Sequence, residues 1–247
     1  MQSLKIKMGE LKSKTKGFSP QELIKFIAQE FGARVNFATS LGEEDQVILD
    51  MVSKAAPSIE VFTLDTGRLF PETYDLMANN QKKYKVNFKI YYPDTKAVEE
   101  MVKARGINLF YESVENRKMC CGIRKVEPFK RAVANVDAWI SGLRREQSVT
   151  RSDLEAFEWD EQNQKIKVSP LIDWTLDDVR KYIQENKVDV NPLHRKGFVS
   201  IGCLPCTRAI KPGEDIRAGR WWWENPQQKE CGLHNNPRRP ATKDVKK

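Results

Sequence analysis

Long apolar runs are missing from the 247 residues: none approaches the roughly 18 consecutive apolar positions that a membrane helix needs, so no membrane association is expected. Residues 1–17 are polar and lysine-rich and lack the apolar centre of a secretory signal, so a cytoplasmic protein is expected. Internal repeats and low-complexity blocks are absent too, which argues against solenoids. Acidic residues are in deficit, 34 against 42 Lys and Arg, leaving a net charge of +8. Such a chain often meets an anion, whether nucleic acid, membrane surface or a phosphorylated small molecule, and charge alone does not choose among them. What is present is a hydrophobic fraction of 40%, enough to fill the core of one domain.

Periodicity predicts alternating strands and helices. Strands are expected at 35–38, 60–64, 88–92, 138–141 and 166–168, and helices at 20–31, 43–54, 71–84, 96–104, 125–133 and 175–184. In the second helix Val47, Ile48, Met51 and Val52 share one face. This alternation predicts an α/β fold, a mostly parallel sheet with helices on both faces. Beyond residue 186 the periodicity fades, and residues 229–247 read as a polar, basic, mobile tail.

Three loops fall on one predicted sheet edge. Ser40-Leu41-Gly42-Glu43-Glu44-Asp45 joins a strand to a helix, with Gly42 for a tight turn, the Ser40 hydroxyl, and unpaired helical N–H groups that could meet an anion. Leu64-Asp65-Thr66-Gly67-Arg68 ends the next strand. Ser141-Gly142-Leu143-Arg144-Arg145-Glu146-Gln147-Ser148 ends a third. Each alone is compatible with ordinary turn chemistry and solvated charge. Together, at the carboxyl ends of parallel strands, they favour a nucleotide pocket.

The five cysteines are Cys120, Cys121, Cys203, Cys206 and Cys231. Two close pairs, one of them Cys203-Leu-Pro-Cys206, suggest a four-thiol metal site. Vicinal sulfurs are awkward ligands for one small ion, which favours a cluster over zinc; a redox disulfide between Cys203 and Cys206 stays open. Cys231 stands in Glu230-Cys231-Gly232-Leu233-His234, a polar setting where basic neighbours would favour the thiolate. Trp221, Trp222 and Trp223 read first as packing, in the core or at a subunit interface.

These residues carry a resemblance. From about Phe37 to His234 the chain resembles the assimilatory adenylyl-sulfate (APS) reductases of the PAPS reductase family, most specifically in the Cys-Cys pair, the C-x-x-C and the Glu-Cys-Gly-Leu-His run. The resemblance implies a Rossmann-like, adenine nucleotide α-hydrolase-like sheet. It divides the chain into an N-terminal polar segment (1–17), a nucleotide-binding domain carrying the iron–sulfur site (18–228) and a flexible tail (229–247). It implies a [4Fe–4S] cluster on Cys120, Cys121, Cys203 and Cys206, with Cys231 as catalytic nucleophile. Sulfate and phosphate contacts map onto Lys125, Arg217, Arg220 and His234, and the nucleotide pocket onto Ser40, Gly42, Leu64, Thr66, Gly67, Arg68 and Arg144. The loop departs from the Ser-Gly-Gly-x-Asp-Ser of related ATP pyrophosphatases, because Leu41 and Glu43 leave less room for a triphosphate.

The implied activity is reduction of adenosine 5′-phosphosulfate to sulfite and AMP in sulfate assimilation toward cysteine. It would pass through an S-sulfocysteine that thioredoxin or a similar dithiol protein resolves. Use of PAPS, alone or beside APS, is the first alternative. An ATP-dependent RNA thiolation enzyme and a metal-bearing nucleic-acid module come after it. The spread of basic residues, without interleaved aromatics, argues against nucleic acid. A homo-oligomer is compatible with the sequence.

Overall fold

Runs rich in β-branched and aromatic residues form the strands, and the amphipathic stretches between them form the helices. The computed structural model describes residues 2–147 and 154–225. Among these, β1 (Val35–Thr39), β2 (Glu60–Leu64), β3 (Lys89–Tyr91), β4 (Ala138–Ile140), β5 (Phe157–Asp160) and β6 (Lys165–Val168) make one sheet, ordered β3-β2-β1-β4-β6-β5. All neighbours run parallel except β5, which pairs antiparallel with β6 at the edge. Successive strands step outward from β1 to β3, and β4 then returns to the other side of β1. That reversal opens a crevice at the carboxyl ends of β1 and β4.

Strand side chains alternate between two cores. Phe37, Val61, Ile140 and Val168 enter the larger one, beneath α1 (Gln2–Lys14), α2 (Pro20–Phe31), α3 (Glu43–Ala55) and α4 (Pro71–Tyr84). Phe62 and Trp139 enter the smaller one on the opposite face, against Phe129, Ala132 and Val133. Helices therefore cover both faces, as the alternation predicts. Helix α2 starts at a capping box: Ser19 Oγ accepts from Glu22 N at 3.3 Å, and the Glu22 carboxylate accepts from Ser19 N at 2.7 Å. Helix α8 (Leu176–Asn186) starts with the same device from Thr175 and Asp178.

Three differences from the expected elements matter. Residues 2–14 form α1, and Leu11, 1% exposed, seats it on the core. Strand β5 was not anticipated, being only four residues at a sheet edge. Residues 114–121, where no helix was expected, form α6 (Val114–Cys121), which Ser113 caps and the vicinal cysteines close. After α5 (Thr95–Arg105) and α6 the chain continues through a π-helical turn, Gly122–Val126, into α7 (Glu127–Ala132). Pro128 explains the wide turn: its ring clashes with the carbonyl four residues back in α register and it has no N–H to give. A π turn at such a place often marks a site. Among the described residues no helix is long and apolar enough to cross a membrane.

Candidate active site

The three loops converge. Together with residues 194–202 and 216–221 they line a cavity of about 290 Å³ at the crevice between β1 and β4. Its two sides differ in charge.

The β1–α3 side is acidic and internally satisfied. Asp45 accepts from Ser40 N at 2.6 Å and from Ser40 Oγ at 2.7 Å. Burial pushes the Asp45 carboxyl up to about 6, against the pull of the Ser40 hydroxyl and of the Ser40 and Gly142 amides. Asp45 thus ties the β1 loop to the β4 loop, and Gly142 is required there because a Cβ would strike the Asp45 carboxylate. Leu41 occupies the left-handed region at φ 63°, where glycine is preferred, and repays the strain by burying its side chain in the large core. Glu43, Glu44 and Asp45 fill the first turn of α3 and already complement its dipole. Arg144, 3% exposed, is drawn onto Glu44 at 2.9 Å, Glu146 at 2.9 Å and the Trp174 carbonyl. The Ser40 hydroxyl and the Arg144 guanidinium are thus hydrogen-bonded within the protein.

The opposite wall is basic. Lys125 rises from the π turn, and Arg217 and Arg220 come from the loop after Cys206. Arg220 is buried. Its Nη1 donates to the Ile201 carbonyl at 3.3 Å, and its Nε has no partner among the described residues. A buried, unmatched guanidinium nitrogen is costly, so Arg220 keeps a donor free for a ligand in the cavity. His194 also lines the cavity; its Nδ1 meets the Phe198 carbonyl at 2.8 Å and its Nε2 is buried without a partner.

Behind the basic wall lies a smaller cavity lined by Cys120, Cys121, Cys203 and Cys206 with Arg68, Arg124 and Lys125. Lys125, Arg220 and Trp221 line both cavities. Burial would raise the Cys203 thiol, but Lys125, the Thr66 hydroxyl (3.2 Å), Arg220 and Arg124 outweigh it and hold it below the ordinary range. Burial and the neighbouring Cys203 push Cys206 up to about 12, and burial raises Cys120. No three Cys, His, Asp or Glu side chains among the described residues converge as a single metal ion requires. The donor set still suits a multinuclear group: four sulfurs from two segments, no carboxylate, and cations beside them.

Comparison with known proteins decides the family. The phosphoadenosine phosphosulfate reductase domain matches residues 34–209. The chain belongs to this reductase family. It is 48% identical over 223 residues to the adenosine 5′-phosphosulfate reductase of Allochromatium vinosum, covering 89% of this chain and 87% of that one. It is 51% identical over 201 residues to the reductase of the same name from Burkholderia cepacia, covering 81% and 80%. Among solved structures it resembles the phosphoadenylyl-sulfate reductase of Candida auris, a phosphate complex, at 32% identity and TM-score 0.70, over 81% of this chain and 96% of that one. Yeast FAD synthetase, at 14% identity and TM-score 0.54, shares the fold alone.

Within this family frame, the structure gathers Ser40, Gly42, Leu64, Thr66, Lys125, Arg144, Arg217 and Arg220 around one cavity. Arg68 sits instead at the cysteine cavity, donating to the Ile107 carbonyl at 2.6 Å and to Asn108 at 3.0 Å. Gly67 shapes the turn between them, its N–H donating to Asp65 at 2.7 Å. Cys231, His234 and Ser148 lie outside the described residues. Sequence reasoning missed Arg124, His194 and the lining role of Trp221. Arg124 stands beside Lys125, but only the π turn shows that both face the sulfurs. Trp221 is buried, as the packing reading has it.

Proposed function

We propose that this chain reduces adenosine 5′-phosphosulfate to sulfite and AMP, in the cytoplasm, during sulfate assimilation. The observation that carries this reading is the two-sided cavity. Its acidic, satisfied side suits an uncharged nucleoside, and its basic wall suits the phosphosulfate. The family relatives named for this activity, half identical over most of the chain, support it.

Cys231 would act as the nucleophile. Its thiolate attacks the sulfate sulfur, the bond to the bridging phosphate oxygen breaks, and AMP leaves with that electron pair. Lys125, Arg217, Arg220 and His234 would neutralise the anionic oxygens of the phosphosulfate, Arg220 at its sulfate end, as charge shifts to the leaving phosphate. One thiol of a thioredoxin-like protein then attacks the Cys231 sulfur and expels sulfite. Its second thiol resolves the mixed disulfide, so the dithiol supplies both electrons. Cys120, Cys121, Cys203 and Cys206 would hold a [4Fe–4S] cluster, which when bound supplies a local field beside the anion site. Lys125, like Arg220, lines both the sulfur cavity and the larger one, so it would feel both.

The test is sulfite release from adenosine 5′-phosphosulfate, without air, with reduced thioredoxin. The parent protein turns over and Cys231→Ser does not. Mixed with substrate alone, the parent gains a sulfonate mass on Cys231, and absence of that adduct overturns the mechanism. Preference for the 3′-phosphorylated substrate would move the assignment to PAPS. Iron and sulfide analysis tests the four-cysteine set.

A further inference from the structure

Trp221 holds an unusual backbone: its φ is 41°, a left-handed conformation that bulky residues avoid. Trp221 is 2% exposed, and two guanidinium groups lie over its ring, Arg117 at 4.7 Å and Arg220 at 4.8 Å from its centroid. Arg117 is in turn clamped by Glu224: Nε donates at 2.9 Å and Nη2 at 2.7 Å, with side-chain exposures of 1% and 2%. Backbone hydrogen bonds tie the unit together, from Trp221 N to the Cys206 carbonyl and from Glu224 N to the Trp221 carbonyl. The Arg220 guanidinium also lies against Gly202, where no Cβ would fit. Arg220 is thereby held by the Trp221 ring and by the Gly202 backbone, in the wall shared by the two cavities.

Stability alone does not account for this arrangement. A fully buried ion pair is often no more stabilising than apolar side chains of the same size, and the backbone of Trp221 adds strain. We infer that the Arg117–Glu224 pair, acting through the Trp221 ring, holds Arg220 in the orientation that receives the terminal anion of the substrate. Arg117 and Glu224 are then positioning residues that never touch the ligand. The inference rests on the proposed function only in that Arg220 meets the sulfate end.

The test is a binding cycle in a Cys231→Ser background, which blocks transfer. Calorimetry with adenosine 5′-phosphosulfate compares Arg220→Ala, Glu224→Asp and the double variant, with AMP as control. Each single variant weakens binding about tenfold, and the double variant binds no more weakly than Arg220→Ala. AMP affinity changes less than about threefold, because AMP lacks the terminal group. Additive losses overturn the inference alone, and so does an equal loss for AMP. An Arg220→Ala protein that binds like its parent overturns the functional reading and the inference with it. If Glu224→Asp fails to fold, Arg117→Lys replaces it in the same cycle. It then weakens substrate binding alone but not on top of Arg220→Ala, and an additive loss overturns the inference.

Discussion

The sheet and the cysteine-bearing lobe are built on opposite principles. On one face of the sheet, a continuous core joins residues from Leu11 to Val179, nearly all aliphatic or aromatic, and a smaller one covers the other face. In the lobe, the core is Met101, Leu109, Phe110, Trp221 and three thiols, and directional contacts do the rest. Arg117 pairs with Glu224, Arg124 donates to the Thr66 carbonyl at 2.6 Å, and the Tyr111 hydroxyl donates to the Pro205 carbonyl at 2.6 Å. Area burial is forgiving, because each residue contributes a small share of many contacts. A few buried polar bonds are unforgiving, because losing one partner strands the other. The molecule places its chemistry where geometry is set by bonds and its stability where it is set by area.

The sharpest way to break this comparison is Arg117→Met. It leaves Glu224 uncompensated and is expected to cost about 4–5 kcal/mol in urea unfolding, whereas Arg117→Met with Glu224→Leu recovers most of the loss. A small single-variant effect would mean that the lobe, too, is held by area. Phe37→Ala, at the centre of the sheet, is expected to cost about 3–4 kcal/mol in the same measurement.

Asp45 sharpens the picture at the boundary between the regions. Its carboxyl is raised to about 6, so the folded state holds a proton that the unfolded chain has released. Its contribution to stability is present below about pH 4 and is lost as pH rises through about 6. Relative to Asp45→Asn, the parent is therefore expected to lose about 2–3 kcal/mol between pH 4 and pH 7. Unfolding midpoints across that range check it, and an identical pH dependence in both proteins contradicts it. The smallest effect belongs to Ser19→Ala, which removes a surface cap remote from the site and costs about 1 kcal/mol in thermal unfolding, with substrate affinity unchanged.

The same division explains what was legible in the sequence. Strand β2 and helices α2 and α4 fall where period and caps place them, because local pattern and burial agree there. The three loops followed from strand ends alone. Ser40 and Arg144 also bond within the protein, and the pairing of Arg144 with Glu44 depends on loops a hundred residues apart meeting in space, which sequence pattern does not show. The predicted helix at 125–133 captured α7 but not the run into it from α6, because residues 114–121 show little apolar periodicity. Helix α1 was masked by its lysines, since few of its side chains reach the core.

The π turn carries a consequence for how such a chain tolerates change. A wide turn takes one more residue than an α turn, so its length sets the angular phase between the vicinal cysteines upstream and α7 downstream. Winding the same five residues 122–126 as α-helix, with none removed, would rotate everything before them by about 100°. All four sulfurs would still be encoded, but two would point elsewhere. What must be inherited in that segment is a count as much as a spelling.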